Sequence, residues 1–225
     1  MSQSSTIAEL LLGENDLRRQ VVQIARRLDA LGLNRGASGN VSVRNGNAFM
    51  VTPSGVPAEE LAPEAIVAMD FGGAVLGVGK PSSEWRFHCD ILKCRPETGA
   101  VIHTHSRFAT VMACLQREIP PFHYMIAMAG GDTIRCTPYA IFGSQELSDL
   151  AVKALAGRKA CLLGNHGMIA LGRDLADALA LTVEVESLCE QYWSALQIGE
   201  PNILSGAQMQ EVIEKFKNYG RSGRG

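Results

Sequence analysis

The sequence predicts one α/β or α+β domain with helices on both faces of a sheet. Three observations predict it. Short apolar runs bounded by turn residues alternate irregularly with longer stretches of helical period. Hydrophobic residues make up 46% and charged residues 20% of the 225, an ordinary balance for a chain that buries a sizeable core. No internal repeat and no long linker divides the chain, so 1–225 reads as a single domain with a polar N-terminal extension over 1–14 and a disordered glycine-rich tail over 221–225.

The elements follow in order. "NDLRRQVVQIARRLDALGLN" puts Leu17, Val21, Ile24, Leu28 and Leu31 on one helical face, capped by Asn15 or Asp16 and ended by Gly32. "NRGASGNVSVR" is a small-residue turn running into a strand, and "NAFMVTP" and "AIVAMD" are further strands. "GGAVLGVGKPSS" is a hairpin or loop that leads into a helix over "SEWRFHCDILKCR", closed by Pro96. "GAVIHTH" is a short buried strand, and "ATVMACLQR" and "GSQELSDLAVKALAGR" are helices. "KACLLGNHGMIALG" reads as two strands around an N-H-G turn, followed by a helix from Leu175 to Leu196. The last helix opens with a capping box, Ser205 and Gln208, and carries Met209, Val212, Ile213 and Phe216 on one face.

Composition excludes several classes. A formal net charge of −2 supplies no overall basic field for nucleic acid or an acidic membrane. No uncharged apolar run reaches the length of a membrane span, and the N-terminus lacks the pattern of a secretory signal. The six cysteines form no C-x-x-C pair and fall mostly in apolar periodic segments, so they read as reduced, buried hydrophobes of a cytoplasmic protein.

The chemistry begins at "VIHTHSRF". Residues i and i+2 of a strand share a face, so His103 and His105 present two imidazoles in parallel. Imidazole suits zinc, and a catalytic zinc takes three protein ligands plus an open position. The third ligand comes from His88, His123 or His166. His166 leads, because it sits in a turn beside a glycine that lets backbones approach closely. His88 lies within an amphipathic helix, and His123 follows two prolines.

Glu84 stands in the first turn of a helix, where compensation of the helix dipole alone accounts for an acid. Its flanks add an anion site. Ser82 and Ser83 lie at that helix N-terminus, and the turns "GASGN", with Gly39 and Asn40, and "TPSG", with Ser54 and Gly55, can wrap the same group in backbone amides. "GVGKPS" is not a nucleotide loop, since Ala74 stands where its first glycine belongs and Pro81 follows the lysine. The anion is therefore a small phosphorylated metabolite.

"GASGNVSVR", "TPSGVP", "PSSEWRFH", "VIHTHS", "FHYMIAMAGG", "CTPYAIFG" and "NHGMIALG" occur in the order found in the class II aldolase/adducin family, and the chain resembles the bacterial fuculose-phosphate aldolase branch most. The resemblance implies a central, mostly antiparallel sheet between helical layers and a four-fold symmetric homotetramer with active sites at subunit interfaces. It implies that His103, His105 and His166 hold one Zn2+ per subunit, and that Glu84 is a further ligand of the empty site and the base during turnover. Asn40, Ser54, Gly55, Ser82 and Ser83 match the phosphate-binding positions. Tyr124 matches a tyrosine that a neighbouring subunit supplies to protonate the aldehyde oxygen, and Phe142, Phe216 and Tyr219 match residues closing over the aldehyde end.

The implied reaction is reversible cleavage of a ketose 1-phosphate to dihydroxyacetone phosphate and a short aldehyde. L-fuculose 1-phosphate and 5-deoxyribulose or 5-methylthioribulose 1-phosphate are the implied substrates. Alternatives within the family are a sugar-phosphate 4-epimerase, a decarboxylase, or a non-catalytic adducin-like binding module. Thr104, Ser106 and the "GNHG" turn depart from the fuculose-phosphate pattern, which bears on substrate rather than metal.

Overall fold

The computed structural model describes the backbone of residues 3–219 and the side chains of residues 13–216. The side chain of Tyr219 and the tail over 221–225 lie outside the described residues. Helix α1 spans Gln3–Ala30, and strands β1 (Asn40–Asn45), β2 (Ala48–Val51) and β3 (Val67–Asp70) follow it. Next come α2 (Trp85–Cys94), β4 (Ala100–Thr104), α3 (Arg107–Cys114), a 3-10 helix over Tyr124–Ala129, and β5 (Arg135–Cys136). The chain continues through α4 (Gln145–Ala154), β6 (Ala160–Leu163), β7 (Gly167–Gly172), α5 (Leu175–Ile198) and α6 (Gly206–Tyr219).

The seven strands form one sheet in the order β3-β2-β1-β4-β7-β6-β5. Every neighbouring pair is antiparallel except β5 with β6. Period-two alternation divides the core into layers. Val41, Val43, Ala100 and Ile102 face α1 and the start of α5, whereas Phe49, Val51, Val101, Ile169 and Leu171 face α2 and α4. Toward the other edge Leu162, Met168 and Ala170 pack under α3, α5 and α6. The fully buried Phe87, Ile91 and Leu92 anchor α2 to its face, each worth roughly 1.5–3 kcal/mol relative to exposure. Among the described residues no helix is long and apolar enough to cross a membrane.

Two expectations are corrected. The first helix is not capped at Asn15 or Asp16 but runs through them from Gln3. Asp16 instead accepts a hydrogen bond from Gln20 Nε2 at 2.6 Å and Glu14 pairs with Arg18, as neighbours four apart on a helix surface do. Gly13 costs the helix only about 1 kcal/mol, too little to break it between leucine, alanine and glutamate. Cys94 and Cys114 are exposed, because each is the last residue of its helix, while Cys89, Cys161 and Cys189 are buried as expected. The two-residue β5 carries no periodic pattern and was not foreseen. The Gly32 stop and the Ser205–Gln208 capping box both form.

Candidate metal centre

Antiparallel register brings the site together at one end of the sheet. Asn40 of β1 lies opposite His103 of β4, and His103 lies opposite Ile169 of β7. The strand stops at Thr104, so His105 lies one residue past it rather than within it. Its backbone N–H instead donates to Asn34 Oδ1 at 3.3 Å, and its ring still turns to meet His103, with the two Nε2 atoms 3.0 Å apart. His166 arrives from the β6–β7 turn, where Asn165 is left-handed at φ 57°. A Cβ on Gly167 would fall 2.3 Å from the Thr104 carbonyl oxygen, so only glycine lets this turn close against the end of β4.

The three imidazoles stand nearly perpendicular to one another, with centroids 4.7 to 4.9 Å apart. Glu84, immediately before α2, sets Oε2 3.3 Å from His103 Nε2 and Oε1 3.3 Å from His166 Nε2. One ligand atom from each of the four residues lies within 4.8 Å of the others. His103 Nδ1 donates to the Met168 carbonyl at 2.9 Å, which leaves Nε2 bare and aimed into the cluster. Glu84 Oε1 is buried and has no hydrogen-bond partner. An orphaned carboxylate oxygen beside facing ring nitrogens fits a divalent cation, since one ion satisfies all of them at once.

The electrostatics agree with that donor set. Desolvation, with the neighbouring His103 adding to it and Glu84 partly offsetting it, lowers His105 and His166 to about 4. Burial alone would raise the Glu84 carboxyl, but the His103 and His166 rings and the Asn40 amide that face it outweigh burial and hold Glu84 below the usual carboxylate range. Neutral imidazoles and an ionised carboxylate are the protonation states that a metal requires.

His88 and His123 do not join the cluster. His88 is fully buried on α2, between Ser42 Oγ at 2.7 Å and Asn40 Oδ1 at 2.5 Å. The ring of His123 accepts a hydrogen bond from Met125 N at 3.2 Å and starts the 3-10 helix.

Asn40, Ser54, Gly55, Ser82 and Ser83 all line one cleft of about 390 Å³, which opens over Glu84, His105 and His166. Ser82 Oγ accepts the Glu84 backbone N–H at 3.2 Å, tying this cleft-lining serine to the start of α2. The Asn40 side chain is turned inward, with its amide donating to Glu84 Oε2 at 2.9 Å. Phe142 is 61% exposed and borders the cleft, and Arg86 holds its loop against α2 by donating to the Gly143 carbonyl at 2.9 Å. Tyr124 is 50% exposed, stacks on Phe216 with centroids 6.4 Å apart, and does not line the cleft of its own chain; nor does Phe216.

Sequence reasoning missed Asn34, Tyr139 and Asn165. Asn34 holds His105 across 71 positions, a contact with no local pattern. Tyr139 and Asn165 line the cleft from separate loops, and only their nearness to "AIFG" and the N-H-G turn pointed to them.

Fold and site together define a mostly antiparallel α+β protein whose three-histidine, one-carboxylate cluster, buried at Glu84 and His103 and open at His105, lies on a small-molecule cleft. The model of the Class II Aldolase and Adducin N-terminal domain matches residues 19–193, and the chain belongs to this family. It is 57% identical over 204 residues to a 5-methylthioribulose-1-phosphate/5-deoxyribulose-1-phosphate aldolase of Rhodospirillum rubrum, covering 91% of this chain and 92% of that protein. It is 45% identical over 207 residues to the L-fuculose phosphate aldolase of Escherichia coli K12, covering 92% and 96%. A solved L-fuculose 1-phosphate aldolase superposes with a TM-score of 0.87 at 38% identity, over 90% of this chain and 96% of that one.

Proposed function

We propose that this chain is a zinc-dependent aldolase that reversibly cleaves a ketose 1-phosphate to dihydroxyacetone phosphate and a short aldehyde. The observation that carries the reading is the Glu84–His103–His105–His166 cluster beneath a cleft walled by serines and glycines. Residues 1–225 act as one catalytic domain, in a cytoplasmic homotetramer. The 57% identity to the Rhodospirillum rubrum protein favours 5-deoxyribulose or 5-methylthioribulose 1-phosphate as substrate. L-fuculose 1-phosphate is the second reading, favoured by the Escherichia coli relative and the solved structure.

His103, His105 and His166, with Glu84 beside them, would hold Zn2+, which would supply positive charge where negative charge develops on the substrate. Ser54, Gly55, Ser82 and Ser83 bind the phosphate by hydroxyl and backbone donors, and Asn40 adds its second amide N–H. That grip sets the carbonyl end of the substrate over Glu84. Glu84 Oε1 carries the proton at the carbon beside the carbonyl, removing it in the condensing direction and returning it after cleavage. Tyr124 from a neighbouring copy exchanges the proton of the aldehyde oxygen, while Phe142, Phe216 and Tyr219 exclude water around the aldehyde.

A panel of ketose 1-phosphates with coupled detection of dihydroxyacetone phosphate tests the reading. Cleavage is expected to be most efficient on the 5-deoxypentulose or 5-methylthio substrate, to vanish on exhaustive chelation, and to return with zinc. Full activity after chelation overturns the mechanism. Epimer formation without triose phosphate replaces it with the epimerase.

A further inference from the structure

His88 is used neither as a metal ligand nor as a surface residue. It is fully buried on α2, one turn after Glu84, so the two side chains share a helix face. Asn40 and Ser42, two residues apart on β1, share the strand face opposite them. The four side chains form one continuous chain of contacts: Ser42 Oγ to His88 Nδ1 at 2.7 Å, His88 Nε2 to Asn40 Oδ1 at 2.5 Å, and Asn40 Nδ2 to Glu84 Oε2 at 2.9 Å.

Donor and acceptor types leave one arrangement. An ionised carboxylate only accepts, so Asn40 must turn its NH2 toward Glu84 and its carbonyl oxygen toward His88. That oxygen needs a donor, so His88 carries its proton on Nε2. Bare Nδ1 then accepts from the Ser42 hydroxyl. With the opposite tautomer, Nε2 would face Oδ1 lone pair to lone pair, and flipping the amide to relieve that clash would only set its oxygen against the Glu84 carboxylate. The consequence reaches the carboxylate: Oε2 is held, and Oε1 is the oxygen left without a partner at the cleft.

We propose that His88 is a positioning residue: as the Nε2–H tautomer it locks the Asn40 amide, which pins Glu84 Oε2 and leaves Oε1 as the working oxygen. This rests on the proposed role of Glu84 as proton carrier. The two directions of hydrogen bonding can be separated chemically. In His88→Gln an amide N–H reaches the position of Nε2 and keeps the donation to Asn40. In His88→Asn the shorter amide reaches only the position of Nδ1 and keeps the contact with Ser42.

Kinetics and melting temperature of zinc-loaded protein, normalised to bound metal, test the lock. His88→Gln is expected to stay within about twofold of the wild-type kcat, the scale of one altered neutral hydrogen bond. His88→Asn is expected to lose at least about tenfold in kcat with KM unchanged, as supporting partners of a metal site do. In an Asn40→Ala background, His88→Asn should cost no further kcat. Loss of kcat in step with melting temperature in both variants, or an undiminished His88→Asn effect without Asn40, overturns the proposal.

Nitrogen-15 histidine spectra supply a readout independent of activity. They should show His88 neutral and protonated on Nε2, and protonation on Nδ1 overturns the lock. Absence of aldol cleavage by wild type would instead fall on the proposed function, with the tautomer still deciding the arrangement of the chain.

Discussion

His88 shows how a single ring couples stability to pH. Burial above all, with the nearby His103 ring adding to it and Glu84 partly offsetting it, lowers its pKa from 6.5 to about 3. The folded state therefore keeps the ring neutral where the unfolded chain protonates it. Above pH 6.5 neither state takes the proton, and this contribution is fully present. As pH falls from 6.5 toward 3 the unfolded state binds protons that the folded state refuses, so stability is lost. One such group gives a slope of about 1.4 kcal/mol per pH unit within that window. His105 and His166 shift in the same direction and steepen the loss. Urea denaturation of the metal-free protein from pH 8 to pH 5 should show a flat region followed by a decline below pH 6.5. His88→Gln should be shallower by about one proton. An unchanged slope in that variant would mean His88 already carries a proton in the fold.

At the scale of elements, turns decide where the ligands end up. Gly39 precedes β1 at φ 71°, and a Cβ there would fall 2.4 Å from the Asn34 amide, the group that holds the His105 backbone. Gly39→Ala is expected to cost about 1–2 kcal/mol from the left-handed backbone alone. Displacing Asn34 should additionally weaken metal binding, read by chelator competition. Gly36→Ala is the control, since Gly36 has φ 59° but nothing within 4 Å of its Cβ. It should lose stability and keep metal affinity; equal metal loss in both would place the effect in backbone strain rather than in Asn34. The H-x-H pair and the N-H-G turn were legible because each is a local pattern with a chemical meaning. Asn34, Ser42 and the partners of His88 were not, because their contacts join β1, α2 and the loop before β1 across dozens of residues. The early start of α1 and the two-residue β5 escaped for another reason: a cap-like Asn-Asp inside a helix and a strand too short for a period give misleading or empty signals.

For the whole molecule, the described chain holds the metal donors and the cleft, but Tyr124 and Phe216 stack on each other away from it. Tyr124 is half-exposed, and the family resemblance implies that it serves a neighbour's site. If the sites are shared around a ring, two inactive chains can repair each other. Glu84→Gln removes the proton carrier of a chain's own cleft, and Tyr124→Phe removes the hydroxyl it lends. Each variant alone should lose most of its kcat. Unfolded together and refolded at equal amounts, a site works only where a Tyr124→Phe chain supplies Glu84 and its Glu84→Gln neighbour supplies Tyr124. Random arrangement around a cyclic tetramer gives that pairing at about one site in four. Recovery toward a quarter of wild-type activity is therefore expected in the mixture and none in either variant refolded alone. Activity that stays at the sum of the separate variants would mean Tyr124 serves its own chain or no site, and the interfacial reading would fall while the metal centre stood.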